Sequence, residues 1–264
     1  MLRRTFAYIE HFHAAFASMI ADEEYKQEVF RNVSTAPNRI SVRMPIRRRR
    51  LTSEFVLVFV PKTRTWVGFR DVISVDGRRV HDRDERLARL LIRRQQHSEA
   101  ELRAIADESA RFNIGDVQRN TNQPLLVLIF FDAVNQSRFT YEPAGDQKID
   151  GIRALKIRYR EHVSPTIIRT AGERDLYSEG TVWVDPATGR ILRTQHRLED
   201  AASDLRTTMD VRFRAEPRFD VNVPVEMTEE YVHIVPRLGA YTRCHARYSN
   251  FRRFEVKSRL IIPD

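Results

Sequence analysis

The sequence predicts an α+β protein: one large curved antiparallel sheet with an N-terminal helix and inserted helices packed on it. Three observations carry this. After about Arg138, apolar and charged residues alternate over long stretches, the period-2 pattern of strands with one face on a core and one toward water. Before about residue 133, apolar stripes recur at helical spacing behind capping residues. Gly180 to Thr194 reads as a strand, a tight turn over Asp185-Pro-Ala-Thr-Gly189 and a returning strand, with Trp183 flanked by Val182 and Val184. No internal repeat, low-complexity linker or compositional break divides residues 1–264, so the chain reads as a single domain.

Element by element, Phe6, Ile9, Phe12, Phe16 and Met19 space an amphipathic first helix. Glu10, His11 and His13 interrupt what would be the apolar core of a signal peptide, so no clear signal peptide is read there. Tyr25 to Phe30 reads as the start of a strand, and Asn32 to Pro45 as loop. Leu51 to Val60 is a strand with Phe55, Leu57 and Phe59 on one face and Val56, Val58 and Val60 on the other, which implies cover on both faces or a central place in the sheet. Trp66 to Val75 follows, ending in a turn at Asp76-Gly77. Asp82 with Glu85, and Ser98 with Glu101, are capping-box patterns opening two helices. Gln123 to Phe131 is a short buried helix or a buried strand, which periodicity does not separate. Beyond Arg138, the sets Leu155, Ile157, Tyr159; Met209, Val211, Phe213; and Cys244, Ala246, Tyr248 alternate with polar residues, with turns expected at Ala144-Gly145-Asp146, Asp150-Gly151 and Leu238-Gly239.

Composition bounds the function. Net charge is +9, and of 45 basic residues only five are lysine. Such a surface attracts anionic lipid or nucleic acid. The arginines are dispersed apart from Arg47 to Arg50, so no sequence-specific nucleic-acid binding is expected. One cysteine, Cys244, rules out an intrachain disulfide and a cysteine-based metal cluster. No nucleophile-elbow, zinc-helix, P-loop or dinucleotide glycine pattern occurs. The acids around His81 read as a helix start rather than a metal site. Arg70, Asp71, Asp76 and Arg83 read as an ion-pair network. His162, His196 and His233 read as surface histidines, and Cys244 and His245 as pointing to opposite faces of one strand. The expectation is therefore no catalytic residue, no metal and no cofactor.

Two resemblances add to this reading. Leu51 to Val58, Gly68 to Gly77, Asp82 to Leu90, Asp107 to Asn113 and Pro165 to Arg169 resemble an uncharacterised family of exported bacterial proteins. Gly180 to Thr194, Val223 to Met227 and Tyr248 to Phe254 resemble the sheet of outer-membrane lipoprotein carrier proteins. The second resemblance implies a half-barrel whose helices plug the concave side, an apolar cavity for a lipid or acyl chain, and a periplasmic or exported location. The candidate lining is Phe55, Leu57, Phe59, Trp66 and Trp183, which as ordinary core would instead make the protein an envelope scaffold without a ligand. An anionic membrane surface is a further candidate partner.

Overall fold

The computed structural model describes residues 2–16, 19–35, 40–60, 65–81, 99–117, 119, 122–170, 172–233 and 241–253. From the N-terminus come α1 (Leu2–Phe16), β1 (Met19–Thr35), β2 (Ile40–Val60), β3 (Thr65–Val75) and the two-residue β4 (Arg78–Arg79). α2 (Glu99–Ala110) and the single-turn α3 (Leu126–Ile129) follow. The rest is β5 (Phe139–Ile149), β6 (Ile152–Glu161), β7 (Ile168–Arg169), β8 (Asp175–Leu176), β9 (Glu179–Val184), β10 (Ile191–Asp200), β11 (Leu205–Glu216), β12 (Val221–His233) and β13 (Tyr241–Arg253).

Eleven strands make one antiparallel sheet in the order β4-β3-β2-β1-β13-β12-β11-β10-β9-β6-β5. The sheet is open, with β4 and β5 as its edges. The first and last long strands meet near its middle, Met19 opposite Arg253 and Phe30 opposite Tyr241. Flat, eleven strands would span about 48 Å at the usual spacing. Yet one buried cluster joins Ile9, Phe12 and Phe16 of α1 to Phe55 on β2, Phe251 on β13, Val223 on β12 and Tyr159 on β6. A single helix meets that many strands only because the sheet curls around it.

α1 forms as its spacing predicts, with Ile9, Phe12 and Phe16 at most 1% exposed and the last two rings stacked at 4.9 Å. Its first turn lies on the Asp185–Gly189 turn. Gly189 has φ +77°, and a Cβ there would come within 2.6 Å of the Arg4 backbone. Asp185 organises that turn by accepting from Ala187 N (2.9 Å) and Thr188 Oγ1 (2.7 Å). Asp76-Gly77 and Asp150-Gly151 both carry positive φ at two successive residues, the signature of tight hairpins.

Cover on both faces of β2 is observed. Phe55 lies in the concave core, while Val56, opposite Phe69 on β3 and Ile20 on β1, is buried on the outer face, and α2 packs against β3. The segment around Leu125 to Phe131 is a buried helical turn, so the helical alternative holds.

Three expectations are corrected. Asn32 to Pro45 is not a loop: the hairpin arms run to Thr35 and from Ile40. Pro45 is tolerated because the register slips there, leaving Ile46 unpaired in a bulge. Ala144-Gly145-Asp146 is likewise a bulge inside β5 rather than a turn. His196 is buried, since Thr194, His196 and Leu198 share the core face of β10. The helix expected from Asp82 to Leu91, Arg83, and the turn at Leu238-Gly239 lie outside the described residues.

Candidate functional site

Among the described residues two elements occupy the concave face. α1 crosses it from one side. Phe112 to Val117, Arg119 and Asn122 to Phe131 lie on it from the other and end in α3, where Phe130 and Phe131 are fully buried against Phe139, Tyr141 and Tyr159. Tyr141 closes α3 by donating to the Phe130 carbonyl at 2.7 Å.

The 112–122 part of this plug is held by polar bonds. On β1 the core-facing set is Met19, Ala21, Glu23, Tyr25, Gln27 and Val29, all buried. Glu23 is bound by Arg70 of β3, Nε to Oε2 at 2.5 Å and Nη2 to Oε1 at 2.8 Å. Burial opposes the charge on Arg70, and the facing Glu23 carboxylate outweighs it. Tyr25 donates to Glu229 Oε1 (3.0 Å) and accepts from Arg119 Nη1 (2.9 Å) and Asn122 Nδ2 (3.0 Å). That uses its whole hydrogen-bonding capacity. Tyr231 donates to the other Glu229 oxygen at 2.5 Å. Arg119 also donates from Nη1 to Cys244 Sγ (2.7 Å) and from Nη2 to Gln27 Oε1 (2.5 Å) and the Ile114 carbonyl (2.7 Å). Gln27 in turn binds the plug backbone at Phe112 O and Ile114 N.

The cluster thus contains two carboxylates and two guanidiniums, buried and facing each other. Its chemistry is that of a clamp. Burial pushes the Cys244 thiol up to about 12, with Glu229 adding to the effect, so the sulfur is held as a thiol and not as a nucleophile. Among the described residues no group of three or more acids, histidines or cysteines converges as a metal site.

The sequence signal for this clamp is the break in alternation: Glu23 and Gln27 stand at core positions of β1, and Glu229 stands between Met227 and Tyr231 on β12. Arg70 takes its partner from β1, not from the network expected around it. Asp76 instead accepts from the backbone N–H of Arg50 at 2.7 Å, and Arg83 lies outside the described residues.

The candidate lining residues divide. Phe55 is buried on the concave face, its ring edge-on to Tyr248 at 5.7 Å. Backbone register pairs Phe55 with Arg70, Leu57 with Gly68 and Phe59 with Trp66. Leu57, Phe59 and Trp66 therefore occupy positions on the same face as Phe55, toward the β2–β3 hairpin end. Gln123 of the plug sits directly over Gly68, where a Cβ would meet its Oε1 at 2.0 Å. Trp183 is not brought to them. It lies on the outer face with Ala154 and Leu192, under Arg193, and donates to Gln147 at 3.1 Å. Its neighbours Val182 and Val184 face the core instead.

No protein-family model matches the chain, and no curated protein matches it in sequence. Among solved structures, a Vibrio parahaemolyticus domain of outer membrane lipoprotein-sorting type is 10% identical over 97% of this chain and 95% of its own, with a TM-score of 0.36. A DUF1329 family protein from Desulfovibrio piger is 15% identical over the same shares, with a TM-score of 0.35. The MucA/MucB complex of Pseudomonas aeruginosa gives 11% identity over 96% of this chain and 99% of that one, with a TM-score of 0.22. These likenesses carry no conclusion about activity.

Proposed function

We propose that this is a binding protein of the bacterial envelope, not an enzyme, and that it seats a lipid or acyl chain on its concave face. The observation that supports this is the β2–β3 register. Phe55, Leu57, Phe59 and Trp66 share one face that continues past the plug's contact at Gly68. Among the described residues the rest of the concave face is occupied by aromatic side chains and the polar clamp, and the hairpin end is the seat we assign to the acyl chain. A bound chain there gains the burial energy of its methylenes, about 0.8 kcal/mol each.

A Trp183→Phe variant makes Trp66 the only tryptophan. Titrating it with a fluorescent fatty acid is expected to quench or shift Trp66 emission with saturation. Ligand at a hundredfold excess over Kd raises stability by about 2.7 kcal/mol. The filling of the central core by Phe12, Phe16, Phe130 and Phe131 favours a second reading, an envelope scaffold without a ligand. Unchanged Trp66 emission together with an unchanged melting temperature sinks the carrier reading and leaves the scaffold.

A further inference from the structure

The outer face of β2, β1 and β13 carries a half-open basin of about 770 Å³ that the concave-face reading does not use. Its walls follow from strand parity. Arg48 and Arg50 of β2 point outward, while Arg49 turns inward and donates to the Phe112 carbonyl at 3.0 Å. Arg50 pairs with Lys26 on β1, and Lys26 pairs with His245 on β13. In the next row Arg48 pairs with Glu28, and Glu28 with Arg243. Thr52 and Ser74 close one side with hydroxyls beside Asp76, whose carboxylate accepts from the Arg50 backbone N–H at 2.7 Å.

Arg48 is bound to Glu28 at 3.0 Å, and His245 to Glu226 at 2.6 Å. Among the described residues neither Lys26 nor Arg50 has an ion-pair partner, and the two stand directly opposite one another. Like charges placed so in a sheet are destabilising. Two exposed cations that face each other without a bonded carboxylate are the positions an anion would fill.

One row further toward the β1–β2 hairpin the face becomes apolar. Phe30 pairs with both Pro45 and Tyr241, and the bulged Ile46 is 51% exposed, while Met44, paired with Arg31, stands on the opposite face. The large exposed apolar side chain on this face, Ile46, is aliphatic. The two rings pack on each other at 5.5 Å instead of offering open faces for base stacking. Basic side chains beside a protruding aliphatic ledge match the chemistry of an anionic bilayer surface, phosphates against the arginines and the ledge at the acyl boundary.

We propose that this face docks the protein on an anionic phospholipid membrane, with headgroup phosphates held between Arg50, Lys26, Arg48 and Arg243. The proposal is independent of what the concave face holds.

Co-sedimentation with vesicles tests it. The wild type is expected to bind phosphatidylcholine vesicles containing phosphatidylglycerol, to bind pure phosphatidylcholine much less, and to be released by salt. A Lys26→Gln/Arg50→Gln double variant is expected to lose roughly thirtyfold in partitioning, at about fivefold per cation near the surface. The same variant is expected to melt at the wild-type temperature or higher, because like-charge repulsion is removed. That separates a lost docking contact from a damaged fold. Ile46→Ser is expected to weaken binding at unchanged charge. Equal binding to both kinds of vesicle overturns the proposal. So does a double variant that binds as well as wild type. So does failure to bind phosphatidylglycerol by a protein that retains single-stranded nucleic acid, which would assign the basin to another polyanion.

Discussion

At the scale of single residues, the concave face is governed by polar groups a sequence reading assigns to the surface. Glu23, Gln27 and Glu229 interrupt apolar alternation, and only the tertiary structure shows that Glu23 meets Arg70, Gln27 meets Arg119 and Glu229 accepts from Tyr25 and Tyr231. His196 is the same case. It is 1% exposed, its ring parallel to that of Tyr159 and its Nδ1 3.1 Å from the Tyr159 hydroxyl. Burial pulls its pKa from 6.5 down to about 3. Between those limits the unfolded chain takes up a proton that the folded chain refuses, so acidification favours unfolding. Above about pH 6.5 the ring is neutral in both states and the dependence disappears. His196→Gln is therefore expected to remove up to about 1.4 kcal/mol per pH unit from the acid slope of stability. Urea denaturation of both proteins at several pH values between 4 and 7 (roughly the window this linkage sets) measures it, and parallel slopes would refute the assignment.

At the scale of elements, the parts with strong local signals were legible. These are the amphipathic α1, the strands around Phe55 and Phe69, the Asp-Gly turns and the C-terminal alternation. The β1–β2 hairpin was not, because Pro45 and the arginine run look like loop when the bulge that accommodates them is unseen. Trp183 was misplaced for a related reason: parity sets it opposite Val182 and Val184, but only the neighbouring strands tell which face is inside. Docking of α1 rests on one such local detail. Gly189 combines φ +77° with the Arg4 backbone where a side chain would stand, and Arg4 donates to the Pro186 carbonyl at 3.0 Å. Gly189→Val is expected to cost about 1–3 kcal/mol from backbone strain alone, with more from displacing α1. An unchanged melting temperature in that variant would mean the helix does not rest on this turn.

At the scale of the molecule, one apolar cluster runs from α1 through strands on both sides of the β1–β13 seam to α3. Residues 1–264 are accordingly expected to unfold as one unit. Calorimetry and far-UV circular dichroism should report a single coincident transition, and two separated transitions would divide the chain into independent units. Charge adds an outer layer: cross-strand pairs such as Arg193 with Asp210 at 2.6 Å and Arg206 with Glu199 at 2.6 Å stitch adjacent strands. Each contributes little alone, so raising salt should move the melting temperature only slightly.

The pairing of β1 with β13 also sets an order on the making of the protein. More than two hundred residues separate Met19 from Arg253, and loop closure over such a span is slow. A ribosome releases β1 early, and its inner edge then waits unpaired until nearly the whole chain has emerged. During that interval the nascent protein holds an open strand edge beside Glu23 and Gln27, whose charge and polarity discourage a wrong partner. Inward-pointing charge of this kind is one general device that keeps a strand edge from mispairing.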